Sequence, residues 1–81
     1  MDRSELHMAL LAAHGARDEA ALAELYARAA DLAEGDGVGD AACFFLTQAY
    51  VFALSAGLPQ AAGLNRRLAE QGRDDLQLDL A

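Results

Sequence analysis

Apolar residues recur at spacings of three and four through the first half of the chain. Leu6, Ala9, Leu10 and Ala13 form one stripe, with Ser4 ahead of it as a helix N-cap and Gly15 behind it as a stop. A second stripe, Ala21, Leu22, Leu25, Tyr26, Ala29 and Leu32, follows Asp18 as N-cap, while Glu19, Glu24, Arg28, Asp31 and Glu34 occupy the opposite face. The run Gly35-Asp36-Gly37-Val38-Gly39 then interrupts the pattern, because glycines so closely spaced cannot continue a helix cheaply. Asp40 caps a third expected helix that ends near Gly57, and Pro59 opens a fourth that runs through Leu64 and Leu68 to Gly72. The predicted helices cover 4–14, 18–34, 40–56 and 59–71, within one domain of residues 1–72. Residues 73–81 change period: Leu76, Leu78 and Leu80 alternate with polar positions, which fits an extended or disordered segment better than a helix. Those three leucines, all on one side of an extended chain, are candidates for docking into an apolar groove.

The third segment differs from its neighbours. No charged residue occurs from Ala41 to Asn65, and Cys43, Phe44, Phe45, Leu46, Ala49, Tyr50, Val51, Phe52 and Leu54 surround the whole helix. A helix apolar all round lies either in a membrane or at the centre of a bundle. A membrane span needs about 20 apolar residues; this one is shorter and contains Thr47, Gln48 and Ser55, and its flanks are acidic. The expectation is a central buried helix whose aromatic surplus, not wholly covered by small neighbours, marks a binding face.

Composition sharpens the fold class. The 81 residues include 20 Ala and 14 Leu but no Ile and no Trp, and Ala and Leu head the helix-propensity scale. The chain reads as all-α. A domain of this size buries only about 60% of its unfolded surface, so a partner chain, and a homodimer in particular, is expected. Six Arg, no Lys and thirteen acidic residues leave a net charge of −7, which disfavours nucleic acid and anionic membrane surfaces. A single cysteine rules out an intrachain disulfide framework, and the opening Met1-Asp2-Arg3-Ser4-Glu5 lacks the features of a signal peptide. The expected location is cytoplasmic.

Residues able to carry chemistry are few. His7 and His14 share a helical face but stand about 10.5 Å apart along it, too far to chelate one ion. Repeat alignment sets His14 opposite Tyr50. Cys43 lies between Ala42 and Phe44, with neither a base nor a cation beside it in sequence, and reads as a small buried apolar residue. In the acidic Gly-rich loop, counting from Glu34, Val38 falls at the fifth position of a calcium loop and Phe45 at the twelfth, where a bidentate Glu is required. A phosphate loop lacks its Lys. Arg66 and Arg67 read as a solvated face, with Arg66 and Glu70 spaced to pair. Neither an enzyme, nor a metal site, nor a cofactor is expected.

An internal repeat supplies the remaining signal. An offset of 36 places Leu10-Leu11-Ala12-Ala13-His14 on Leu46-Thr47-Gln48-Ala49-Tyr50, and three further residues place Leu22-x-x-x-Tyr26-x-x-Ala29 on Ala61-x-x-x-Asn65-x-x-Leu68. With Leu46-x-x-Ala49-Tyr50 in a first helix and Tyr26-x-x-Ala29 in a second, residues 4–72 resemble the tetratricopeptide-repeat family. Thr47 stands where that family has Gly, His14 where it has an aromatic residue and Leu22 where it has a small one. The resemblance implies two antiparallel helix-turn-helix hairpins in right-handed stacking; a closed four-helix bundle is the alternative. It also implies a non-catalytic module that self-associates or binds an apolar peptide or helix on the first-helix faces. By position, that face comprises Met8, Ala12, Phe44, Phe45, Gln48, Val51 and Phe52. A small-ligand sensor or carrier, enclosing an apolar molecule among the aromatic residues of the third helix, is the competing expectation.

Overall fold

A computed structural model describes residues 2–71, which place four helices in sequence: α1 (Arg3–Ala16), α2 (Glu19–Gly35), α3 (Gly39–Ser55) and α4 (Ala61–Glu70). The described residues contain no strand. Leu76, Leu78 and Leu80 lie outside them.

Helix α1 starts at Asp2 rather than Ser4. The Asp2 carboxylate accepts from the Glu5 backbone N–H at 2.8 Å, and the Glu5 carboxylate accepts from the Asp2 N–H at 3.1 Å. Ser4 has His7 three residues on and cannot form this reciprocal box, so the earlier cap wins. Gly15 does not stop the helix. The break comes at Arg17, which takes the left-handed conformation (φ 55°), so that the Asp18 N–H closes onto the Ala13 carbonyl at 3.0 Å. Asp18 then caps α2 as expected, accepting from the Ala21 N–H at 3.1 Å.

Gly37 (φ 76°) and Gly57 (φ 68°) close α2 and α3 in the same way, with Val38 N–H to Ala33 O at 2.9 Å and Leu58 N–H to Ala53 O at 2.8 Å. At all three turns, the residue after the left-handed one returns its N–H five positions. At α2, this closure leaves the Val38 carbonyl to accept the first helical bond of α3, from Ala42 N–H at 3.0 Å, so Val38 takes the cap position expected of Asp40. Asp40 instead lies in the first turn, where its charge faces the positive end of the helix. Pro59 does not open α4 either. It occupies a turn closed by Ala61 N–H to Leu58 O at 3.3 Å, and α4 begins after it.

The helices pack in chain order: α1 on α2, α2 on α3 and α3 on α4. The centre consists mostly of alanine. Ala23 and Ala30 of α2 and Ala49 and Ala53 of α3 are almost wholly buried around Leu46, the largest completely buried side chain, with Leu64 and Leu68 contributed by α4. Methyl side chains let α2 and α3 approach closely, so this core relies on contact density more than on volume. Helix α1 buries only Leu6 and Ala13.

Polar ties join the ends. Ser55 donates to Glu19 at 2.7 Å, linking the C-terminal end of α3 to the start of α2. Arg67 does not lie on a solvated face: its guanidinium donates to Asp31 at 2.6 Å and to Glu34 at 2.8 Å on α2. Gln71 bonds the same Glu34 and accepts from the Cys43 thiol at 2.6 Å, which ties α4, α2 and α3 together at one end. Partial burial of the guanidinium opposes its charge, but the hydrogen bonds and charges of Asp31 and Glu34 outweigh that cost and raise the Arg67 pKa. A raised pKa means that the guanidinium stays charged at neutral pH and its contribution is lost on the basic side only in strong base, so salt at neutral pH is the variable that tests it.

Two predictions follow from this packing. Ala49→Leu, which inserts three carbon atoms between α2 and α3, should lower unfolding stability by about 1–3 kcal/mol in urea titration. Arg67→Met, which keeps an apolar stem but removes the charge, should cost about 0.5–1 kcal/mol at low ionic strength, and the loss should shrink in about 1 M salt.

Candidate ligand cleft between the first and third helices

Because α1 packs on α2 while α3 packs on another part of the same helix, a cleft of about 590 Å³ remains between α1 and α3. Leu6, His7, Leu10, Leu11 and His14 form the α1 wall. Tyr26, Ala29 and Ala33 of α2 form the floor, and Val38, Ala41, Phe44 and Phe45 form the far wall. The lining is mainly apolar, and the volume lies in the range of ligand pockets. Leu11 and Phe44 remain more than half exposed, at 59% and 56%, on opposite walls.

An aromatic series organises the floor and one end. Tyr26 stacks on Phe45 (centroids 6.2 Å apart, 27° between planes) and on Phe52 (5.8 Å, 4°). Phe44 meets Phe45 edge-on at 5.6 Å, and the His14 ring meets both Tyr26 and Phe52 edge-on at 5.9 and 6.1 Å. These geometries are the ones that aromatic quadrupoles favour. His14 therefore meets Tyr26 and Phe52 rather than Tyr50, and its Nε2 lies 3.0 Å from the Tyr26 hydroxyl. At the other end, Arg3 pairs with Asp36. The cleft is thus an apolar trough with a polar pair at each end.

The residues proposed from sequence divide into two groups. Phe44 and Phe45 line the cleft, and Phe52 supports it from within the aromatic series. Met8 (68% exposed), Ala12 and Val51 are exposed outside the cleft lining, and Gln48 is half-buried outside it. Leu10, Leu11, Tyr26 and Val38 line the cleft without having been singled out. Sequence did place His7 and His14 on one helical face, and that face overlooks the cleft. Leu11, which lies between them at spacings of four and three, was the readable signal for the rest of the wall.

Cys43 lies outside the cleft, buried and bonded to Gln71. The described residues contain no group of three or more His, Cys, Asp or Glu side chains able to hold a metal ion, and none of the described helices is long and apolar enough to cross a membrane. What the cleft offers is apolar surface, aromatic faces and a few polar groups at its ends. Comparison of the chain with protein-family models, with curated proteins and with solved structures found no match.

Two substitutions should separate support from contact. Phe52→Asp places a charge within the stack on Tyr26 and should destabilise the fold by at least about 2 kcal/mol. Phe44→Asp, on an exposed wall, should change stability by no more than about 0.5 kcal/mol. Thermal melts followed by circular dichroism test both expectations.

Proposed function

We propose that this chain is a non-catalytic interaction module built as two tetratricopeptide-like hairpins, and that the cleft between α1 and α3 receives an apolar peptide or amphipathic helix. The observation that carries this reading is an apolar trough open to solvent, with Leu11 and Phe44 exposed on facing walls. An amphipathic segment lying between two apolar walls uses such a site well, because its apolar side chains (at i, i+3 and i+4 in a helix) can enter while the backbone stays wet.

The packing supports stacked hairpins over a closed bundle. In a closed antiparallel bundle, α1 and α4 would be neighbours and α2 and α4 would lie on a diagonal. Here α1 and α4 share no interface comparable with those between successive helices, and Arg67 of α4 reaches Asp31 and Glu34 of α2. This side-chain bridge is what favours the stacked arrangement, since α2 and α4 themselves pack less extensively than successive helices.

The small-ligand reading requires the α3 aromatic residues to converge on an enclosed space. Phe44 and Phe45 are at the trough, Phe52 is behind it, and Tyr50 packs against the main core. This distribution favours an elongated ligand.

The test is fluorescence anisotropy with a panel of labelled amphipathic peptides of about 12–15 residues, long enough for marginal helicity, alongside the uncharged dye Nile red. Peptide binding that weakens at least tenfold in Leu11→Asp and Phe44→Asp, both still folded, is the expected result. Saturable dye binding at one molecule per chain with no peptide binding would replace this reading with that of a small-molecule carrier. Light scattering on the same samples shows whether a second copy competes for the cleft.

A further inference from the structure

We propose that the segment Leu76–Leu80 of the same chain occupies the cleft until a partner displaces it. The inference rests on reading the cleft as a peptide groove, and it names the resting occupant. Three observations converge on it.

The first is reach. The described chain ends at Gln71, whose side chain bonds Cys43 on α3 and Glu34 on α2. Phe44, the neighbour of Cys43, belongs to the cleft wall, so the departure point and the cleft are separated by the girth of α3 near its start. That girth is about 10 Å. Five residues of extended chain, from Gln71 to Leu76, cover up to about 17 Å. A lead-in of that length is long enough to span the distance to the Val38–Phe44 end of the cleft.

The second is pattern. In an extended strand, alternate side chains point to one side about 6.6–6.8 Å apart, so Leu76, Leu78 and Leu80 present three apolar groups over about 13 Å. The α1 wall from Arg3 to His14 rises about 16 Å. Length and spacing match.

The third is charge. In a chain of net charge −7, the cleft is lined by Arg3, His7 and His14 and by a single carboxylate, Asp36, already paired with Arg3. The segment and its lead-in carry Asp74, Asp75 and Asp79. An acidic, leucine-bearing segment meets no unpaired carboxylate in a trough lined by apolar groups, two imidazoles and one ion pair, whereas the remaining surface of a chain this acidic repels it on average.

The experiment uses the full chain with methyl-labelled leucines. Nuclear Overhauser contacts should connect the methyl groups of Leu76, Leu78 and Leu80 to the rings of Phe44 and Phe45, and should persist on dilution. The triple variant Leu76→Ser, Leu78→Ser, Leu80→Ser, with unchanged helicity, should bind Nile red at least fivefold more strongly than the parent chain, and adding Phe44→Asp should remove the gain. Absence of the contacts together with equal dye binding by parent and variant would overturn the proposal while leaving the groove reading intact. Contacts seen only between differently labelled chains would also overturn it, by making a second copy the occupant. If neither chain binds dye or peptide and no contacts appear, the groove reading fails as well.

Discussion

The close approach of α2 and α3 is the constraint on which the rest of the structure depends. Ala23, Ala30, Ala49 and Ala53 are buried almost completely, and Leu46 fills the remaining space. Small side chains yield little transfer energy individually, at about 0.8 kcal/mol per buried methylene-sized group. They stabilise collectively because two backbones can then lie near the short end of the interhelical range, with many dispersion contacts and few lost rotamers. Both outer helices depend on this pair: α4 adds Leu64 and Leu68 to the same core, and α1 docks on the remaining face of α2. An enlarged residue at the central seam would therefore shift every element, the walls of the cleft included.

Much of this architecture was legible in the chain, for identifiable reasons. Amphipathic periodicity located α1 and α2, and the uncharged stretch from Ala41 to Asn65 marked α3 as central. Boundaries were less legible where two adequate signals competed. Asp2 displaced Ser4 because only Asp2 has a Glu three residues on. Val38 displaced Asp40 because the turn closure around Gly37 had already placed its carbonyl. Arg17 adopted the left-handed conformation that Gly15 would have accommodated at lower cost, because Asp18 fixes the start of α2. These outcomes depend on how consecutive elements share a short turn, which single-residue preferences do not encode.

The candidate site was half legible for a related reason. Position within a hairpin nominated seven residues for a binding face; Phe44, Phe45 and Phe52 lie at or behind the cleft, whereas Met8, Ala12, Gln48 and Val51 lie elsewhere on the same helices. A repeat register identifies a helix face to within about a third of a turn, since successive residues differ by about 100°. The choice between Met8 and Leu11, or between Gln48 and Phe44, requires the actual rotation of each helix. Arg67 illustrates the same limit: its sequence neighbourhood suggested a solvated face, whereas its partners lie on another helix.

Helix α1 has a consequence of its own. It contributes two buried residues, Leu6 and Ala13, and joins α2 through the short Arg17–Asp18 turn. An element anchored so lightly should open at lower free energy than the α2–α3–α4 core, and its amide hydrogens should exchange with solvent earlier than those of the core. The trough therefore has one wall that is lightly anchored and one that is seated in the core. An occupant of the proposed kind would press against α1 before it disturbed α3. If the cleft takes a peptide as proposed, such a site would trade tightness for breadth, admitting a range of apolar sequences at the cost of ordering one wall.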